Sequence, residues 1–228
     1  TQTSDNKNHQ WEIKIDYSNK ITENSRLEAG WQSNLQERNN LTSAIDNLNN
    51  RAQIPSYSDN FNYEEKIHAA YLTYGNRFDQ LSLQAGLRGE YLEKKINNLN
   101  PQSYFELFPS AYLSYSLPNE NELQLSYTRR INRPRGRMIN PFRDYTDSTN
   151  ISYGNPQLFP EFASSLEFNY MKTWNQHSLS ASAYYRFTDN VIENVRYMNG
   201  QTMESTYFNI TKSKNAGFEL VAKNNLFK

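Results

Sequence analysis

The sequence predicts an all-β fold: an up-and-down antiparallel meander of about nine strands. Three observations lead to this fold class. Apolar and polar residues alternate with a period of two in one stretch after another, as they do along a half-exposed strand. The connections alternate in length between about five residues and about twelve to thirty residues. Hydrophobic content is only 36%, yet aromatic residues make up 14% of the chain, with 17 Tyr and 12 Phe.

The predicted strands follow from this alternation in chain order. The first begins near His9 and sets Trp11, Ile13, Ile15 and Tyr17 against polar neighbours. The full set of predicted strands covers residues 9–18, 26–32, 63–75, 81–91, 110–117, 123–128, 162–172, 178–187 and 206–223. Short polar turns join them at residues 19–24, 76–80, 118–122 and 173–177.

The remaining connections are longer. Residues 35–62 lack alternation and are rich in Asn, Asp and Ser, which predicts a long loop, and residues 41–48 inside it are compatible with a helical turn. The pair Asn199-Gly200 predicts a local hairpin turn within residues 190–205. Residues 224–228 resemble the turn into a further strand.

A chain poor in aliphatic residues and rich in tyrosine has two explanations. One is a transmembrane β-barrel, in which alternate residues face lipid, and the other is a soluble carbohydrate-binding sandwich or solenoid. The alternating connections favour part of a barrel with short periplasmic turns and long outer loops. The residues predicted to face lipid include Trp11, Trp31, Tyr71, Leu83, Leu87, Leu113, Tyr115, Leu125, Tyr127 and Tyr185. The opposite, lumen-facing set includes Glu12, Lys14, Arg26, Glu28, Arg88, Glu90, Glu167, Arg186 and Glu219.

Several function classes are excluded by the sequence. There is no cysteine, which rules out disulfide frameworks and thiol catalysis, and the net charge of zero gives no indication of a nucleic-acid partner. His9, His68 and His177 lie on different strands without metal-ligand spacing, so we expect neither a metal nor a cofactor. No phosphate loop, serine elbow or paired-carboxylate constellation is present, and we expect no enzyme.

The long connection over residues 129–161 is the candidate site. It is crowded with arginine, and the five that fall within nine positions are Arg129, Arg130, Arg133, Arg135 and Arg137. Guanidinium groups recognise carboxylate, phosphate or sulfate through paired hydrogen bonds, so these arginines are candidates for binding an anionic ligand. The favoured alternative is structural: the arginines pair with Asp144, Asp147 and Glu161 and hold the loop in shape.

Motifs in this loop carry a family resemblance. The strings N-R-P-x-x-x-x-I-N-P-F-x-x-Y-x-D and G-N-P-x-L-x-P-E resemble the barrel domain of TonB-dependent outer-membrane receptors, in the branch called the outer-membrane β-barrel family. F-P-S-A-Y-L-S-Y, A-G-L-R-G-E and N-A-G-F-E-L elsewhere resemble it too. The matching loop positions, which the resemblance implies are structural and not ligand contacts, are Asn132, Arg133, Pro134, Asn140, Pro141, Phe142, Gly154, Asn155, Pro156, Leu158, Pro160 and Glu161.

The resemblance implies a barrel of about 22 strands, closed by an N-terminal plug, that takes up a nutrient across the outer membrane of a Gram-negative bacterium with energy delivered through TonB. Residues 1–228 show no plug or TonB box and hold fewer than half of those strands, which predicts a partial barrel domain whose C-terminal strands are missing. The expected partners are outer-membrane lipid, the remaining strands and plug, TonB, and an unknown nutrient ligand. The alternative is a soluble β-rich module that binds glycans or cell-surface partners through tyrosine-rich faces.

Overall fold

The structure, a computed structural model, describes residues 2–46, 52–53, 58–147, 149–175 and 177–224. Its elements are β1 (Gln2–Lys20), β2 (Ser25–Asp46), β3 (Ala52–Gln53), β4 (Asp59–Phe78), β5 (Leu81–Ile96), β6 (Gln102–Leu117), β7 (Asn121–Asn132), α1 (Gly136–Ile139), β8 (Asp144–Asp147), β9 (Asn150–Ser152), β10 (Glu161–Trp174), β11 (His177–Asn199) and β12 (Thr202–Lys223). Among these residues no helix is both long and apolar enough to cross a membrane.

The long strands form one antiparallel meander, in the order β1-β2-β4-β5-β6-β7-β10-β11-β12. The fold class predicted from the sequence is therefore confirmed. Beyond β12 the sheet continues with β9, which pairs in parallel with Met203–Ser205, and then with β8. Within the described residues β1 forms one end of this path and does not pair with β12, so the sheet does not close into a barrel.

One face of the sheet is apolar and uncovered. Trp11 on β1 is 70% exposed, and Leu72 on β4, which stands opposite Leu87 on β5, is 52% exposed. Large apolar side chains left open on a whole sheet face are what a lipid-facing barrel wall presents, whereas a sandwich would bury them against a second sheet. The apolar face therefore meets lipid.

The lipid-facing assignment of Tyr71 was wrong. The register places Tyr71 between Gly30 and Arg88 on the lumen face, and its hydroxyl donates to the carboxylate of Asp16. The alternation on β4 is ambiguous because both parities carry apolar residues, and only the pairing with β2 shows that Leu72 and its neighbours two residues away face lipid.

The lumen face carries the predicted charges, joined across strands by hydrogen bonds. Gln32 on β2 donates to Glu12 on β1 at 2.7 Å, and the guanidinium of Arg88 on β5 donates to the Gln32 amide oxygen at 3.0 Å. Arg88 also pairs with Glu90 at 2.6 Å. This network extends along the inner wall from β1 to β5.

The outer loops are shorter than predicted because the strands are longer. β2 runs to Asp46 and β4 starts at Asp59, so most of the loop expected over residues 35–62 is strand. Residues 41–46 are strand where a helical turn was expected, and residues 47–48 lie outside the described part. Beyond the membrane both faces meet water, so these extensions need no apolar alternation and are held by backbone pairing.

The same correction applies at two other outer connections. β5 and β6 are separated by residues 97–101 alone, and β11 and β12 extend through most of residues 190–205. The hairpin turn predicted at Asn199-Gly200 is confirmed, with Gly200 at φ +63°. Of the turn expected over residues 224–228, residue 224 follows β12 and residues 225–228 lie outside the described part.

Candidate functional site

The connection between β7 and β10 is the one long outer loop of the described chain, and we call residues 133–160 the mouth loop. It contains α1, β8 and β9. The ends of the stretch predicted as a loop belong to strands instead: Arg129–Asn132 complete β7 and Glu161 begins β10.

The mouth loop packs against the inner face of the sheet at its outer end. Ile139 of α1 and Leu158 are each 1% exposed and contact a buried cluster with Phe61, Tyr63 and Ile96. These three residues follow the lumen parity of β4 and β5. Burying each aliphatic side chain contributes about 2 kcal/mol, so the loop is held in the mouth of the barrel wall by an apolar core.

Gly154 lets two parts of the mouth loop meet. Its backbone N–H donates to the Asn140 carbonyl at 2.8 Å, and that of Asn155 donates to the Met138 carbonyl at 2.7 Å. These bonds satisfy carbonyls at the end of α1. A Cβ at residue 154 would stand 2.6 Å from the carbonyl oxygens of Asn140 and Met138, so only glycine allows this approach.

Two motif asparagines of the mouth loop, Asn140 and Asn155, hydrogen-bond to residues on the strands. The Asn140 amide oxygen accepts from the Phe142 N–H at 3.0 Å, and its nitrogen donates to Asp59 on β4 at 2.8 Å. The Asn155 amide donates to the carbonyl of Tyr207 on β12 at 3.0 Å. Each asparagine therefore ties the mouth loop to a strand. Of the motif prolines Pro134, Pro141, Pro156 and Pro160, the second lies between these two asparagines in the chain and the last is buried.

The return of the mouth loop is tied to a bulge in β11. The pairing of β11 with β12 shifts register around Val191 and Ile192, which frees the Ile192 N–H. The carboxylate of Glu161 accepts from this N–H at 2.7 Å and from the side chain of Asn132 at 2.6 Å. Glu161 therefore joins the two strands that flank the mouth loop to β11.

Arg129 bridges β7 and β6 beyond the point where their backbone pairing ends. The pairing of β6 with β7 stops at Ser110 and Thr128, although β6 continues outward to Gln102. One Nη atom of Arg129 donates to the Leu107 carbonyl at 2.6 Å and to Glu106 at 3.0 Å. The guanidinium also lies over the Phe162 ring, 4.8 Å from its centroid. Arg129 is therefore engaged within the wall.

Arg133 links the mouth loop to the lumen wall. It donates to Glu90, which also accepts from Arg88. Through Glu90 the mouth loop is joined to the hydrogen-bond network on the inner face. The predicted pairing of the arginine cluster with Asp144, Asp147 and Glu161 is thus wrong for Arg129 and Arg133, whose partners are Glu106 and Glu90. The reason is that long side chains reach neighbouring strands that the sequence does not identify.

The predicted acidic partners are occupied elsewhere. Asp147 accepts from Thr149 and Asn150 within its own turn, which lowers its pKa to about 2. The remaining arginines of the cluster, Arg130, Arg135 and Arg137, are exposed, and within the described chain they form no ion pair. These three differ from Arg129 and Arg133 in having guanidinium groups available to a ligand.

Glu204 on β12 is a buried acceptor that the sequence did not single out. It is 3% exposed and accepts from Arg143 at 3.0 Å, Asn199 at 2.9 Å, Tyr153 at 2.9 Å and Tyr197 at 3.0 Å. The Asn199 and Arg143 hydrogen bonds in particular lower its pKa to about 2. Glu204 thereby fixes the mouth loop to the outer end of β12.

A cavity of about 360 Å³ opens between the mouth loop and the outer ends of β2, β4, β11 and β12, and we call it the mouth cavity. Arg137 of the predicted cluster lines it, together with Arg38 from β2. Other lining residues are Asn40, Phe61, Phe142, Tyr153, Asn194 and Tyr207. Arg130 and Arg135 do not line it. The sequence missed Arg38 because that residue falls in a stretch predicted to be an irregular loop.

The described residues contain no group of three or more His, Asp or Glu side chains that could hold a metal ion. His68 instead shares a 2.9 Å hydrogen bond with Ser33, and His177 lies beside the Trp174 ring at 5.9 Å between centroids.

The fold and the apolar outer face define an outer-membrane β-barrel wall. The sequence profile of the outer membrane protein beta-barrel family matches residues 1–228, and the chain belongs to this family. It is accordingly a protein of the outer membrane of a Gram-negative bacterium. The family resemblance predicted from the loop motifs is confirmed. No protein of curated function matches the sequence.

Solved structures share this fold. The copper transporter OprC superposes with a TM-score of 0.74 at 15% identity, over 99% of this chain and 36% of that chain. The hemophore receptor HasR of Serratia marcescens, solved with its hemophore HasA and heme, has a TM-score of 0.69 at 13% identity, over 97% and 40%. The FrpB iron transporter of Neisseria meningitidis has a TM-score of 0.67 at 16% identity, over 95% and 33%. This chain therefore spans 33% to 40% of the length of these structures.

Proposed function

We propose that this chain is part of the barrel of an outer-membrane receptor that takes up a nutrient, and that the complete protein is a transporter driven through TonB and not an enzyme. The observation that carries the proposal is the mouth loop, which is packed on the inner face of an outer-membrane barrel wall and leaves a cavity at its outer end. A partly open pocket at the entrance, lined by polar and apolar side chains, suits capture of a solute before passage.

Support also comes from the related folds. The solved structures with this fold are described as a copper transporter, a hemophore receptor and an iron transporter. Nine long strands in an open sheet, spanning 33% to 40% of those structures, suit one part of a larger barrel that further strands close. Under this proposal the lumen network on Glu12, Arg88 and Glu90 faces a plug domain.

The soluble module that binds glycans or cell-surface partners is the weaker alternative. It would require a second layer over the residues of the lipid-facing set, and in the described chain Leu87 and Leu113 on that face remain exposed. Family membership also favours the barrel.

A growth experiment tests the proposed function. The gene for the full-length protein is deleted, and the strain is grown on single sources of iron, heme, copper, glycans and peptides, beside a strain that lacks TonB. We expect the deletion to abolish growth on one source that the TonB-deficient strain also fails to use, with growth restored by the intact gene. Normal growth of the deletion strain on every source would reject the uptake role.

A further inference from the structure

The polar groups of the mouth cavity divide into engaged acceptors and available donors. The amide oxygen of Asn140 accepts from the Phe142 N–H, and that of Asn194 accepts from the Ser205 hydroxyl, both at 3.0 Å. Asp144 lines the cavity too and is engaged in contacts of its own. The groups that remain for a ligand are therefore mostly N–H donors.

Two guanidinium groups supply most of those donors. That of Arg38 also donates from Nε and Nη2 to the Gln36 amide oxygen, at 3.1 and 3.0 Å, which leaves its Nη1 free for a ligand. Arg38 lines the cavity from β2 and Arg137 from α1, and neither forms an ion pair within the described chain. The Arg38 Nη1 atom lies 3.2 Å from the position a Cβ would take at Gly136, which places it against the start of α1. The lining of the cavity thus carries two positive charges, on Arg38 and Arg137, and one negative charge, on Asp144.

From this arrangement, and resting on the receptor function proposed above, we propose that the mouth cavity binds the oxyanion group of the transported solute, a carboxylate, phosphate or sulfate, between Arg38 and Arg137. A guanidinium donates two parallel hydrogen bonds to such a group, which a lysine does not. The volume of about 360 Å³ suits a small acidic molecule or the acidic end of a larger one. Asn40 adds an amide that has no partner among the hydrogen bonds of the described residues and suits hydroxyl groups beside the anion.

Direct binding to the full-length protein in detergent tests this proposal. Citrate, galacturonate, inorganic phosphate and sulfate are titrated by calorimetry, with galactose as the neutral counterpart of galacturonate. We expect at least one anion to bind and galactose not to bind. Affinity should fall as sodium chloride rises, because ion pairs at a partly open site are screened. The anion that binds separates carboxylate recognition from phosphate or sulfate recognition.

Matched arginine variants localise the binding. Arg38→Gln and Arg137→Gln should each weaken the anion about tenfold or more, since each removes charge-assisted hydrogen bonds. Arg135→Gln, which removes an exposed arginine two positions from Arg137 but outside the cavity, should bind as the wild type does. Retention of the heat-sensitive folded band on electrophoresis shows that each variant is folded, and Arg137 is exposed, so its replacement leaves the core intact.

Two results would overturn the site. One is the absence of binding for all four anions, and the other is a loss in Arg135→Gln equal to that in Arg137→Gln, which would indicate diffuse surface charge. Binding by the purified protein needs neither TonB nor transport. If no anion binds but growth still depends on the protein and on TonB, the oxyanion assignment alone is rejected. If an anion binds but the deletion strain grows normally on every source, the uptake role alone is rejected.

Discussion

The ammonium group of Lys94 on β5 donates a hydrogen bond to the backbone carbonyl of Leu158 in the mouth loop, with 2.9 Å between nitrogen and oxygen. Lys94 is 7% exposed, and burial lowers its pKa from the ordinary lysine value. This buried lysine holds the loop through a hydrogen bond to a main-chain carbonyl and not through an ion pair with a carboxylate. It is one of the contacts that tie the apolar anchor of the mouth loop to the wall.

Replacing Lys94 with methionine should loosen the mouth loop. The Leu158 carbonyl would lose its partner in a buried place, at a cost of about 1–3 kcal/mol to the local closing free energy. Hydrogen exchange of the full-length protein should then show faster exchange over residues 133–160. Lys95→Met is the control, because Lys95 is exposed on the opposite face. Equal protection in both variants would contradict the anchoring role.

Gly154→Ala should disrupt the contact between the two parts of the mouth loop. The added Cβ would meet backbone carbonyl oxygens at 2.6 Å, and backbone cannot move aside as a side chain can. We expect a lower melting temperature and rapid protease cleavage within the mouth loop of the folded protein. Gly75→Ala adds the same methyl group where the nearest atom is 3.8 Å away and should leave both measurements unchanged. Wild-type resistance in Gly154→Ala would refute the close-approach argument.

The pH dependence of the mouth loop should follow Glu204. Its pKa falls from an ordinary 4.5 to about 2 in the folded protein, so the stability it contributes is present above about pH 4.5 and is lost as the pH falls towards about 2. Near-ultraviolet circular dichroism, which reports on Tyr153 and Tyr197, should change over that window. Glu204→Gln should reduce the change and leave the part that Asp147 contributes over the same window, and Glu193→Gln, at an exposed position, should retain it in full. A transition that persists unchanged in Glu204→Gln would assign it to another group.

Arg133 and Glu90 should be energetically coupled. In a double-mutant cycle with Arg133→Gln and Glu90→Gln, the loss in the double variant should be smaller than the sum of the single losses, by about 0.5–3 kcal/mol in unfolding free energy. The matched cycle of Arg135→Gln with Glu90→Gln should be additive, since Arg135 does not contact Glu90. Additivity in both cycles would mean that the contact does not hold the loop.

The assignment of the two sheet faces predicts opposite effects of a new arginine. Leu87→Arg places charge on the lipid face near the middle of the apolar part of β5 and should cost about 2–4 kcal/mol in folding into bilayers. Gln84→Arg places the same charge on the lumen face and should fold normally. Refolding yield into lipid vesicles, read from the heat-sensitive band on electrophoresis, checks both. Equal yields would contradict the lipid-facing assignment.

The regular part of the fold could be predicted from the sequence. Alternation located the membrane part of all nine long strands and the short turns between them. In a barrel wall one face of each strand contacts lipid and the other faces the lumen, so apolar and polar residues alternate. The motif glycine and asparagines could be predicted to be structural only through the family resemblance. Their physical reasons, such as the close approach at Gly154, required the coordinates.

The outer ends of the strands and the site depended on tertiary structure. Above the membrane a strand is held by main-chain pairing with its neighbour, a long-range contact that leaves no period in the sequence, so β2 appeared to end before Arg38. For the same reason the partners of Arg129 and Arg133 lie on strands distant in sequence and were misassigned. A barrel wall with an arginine-rich loop could be predicted without coordinates. The folded chain was needed to show that this loop turns inward and that Arg137 and Arg38 line one cavity, because side-chain neighbours are set by register and packing.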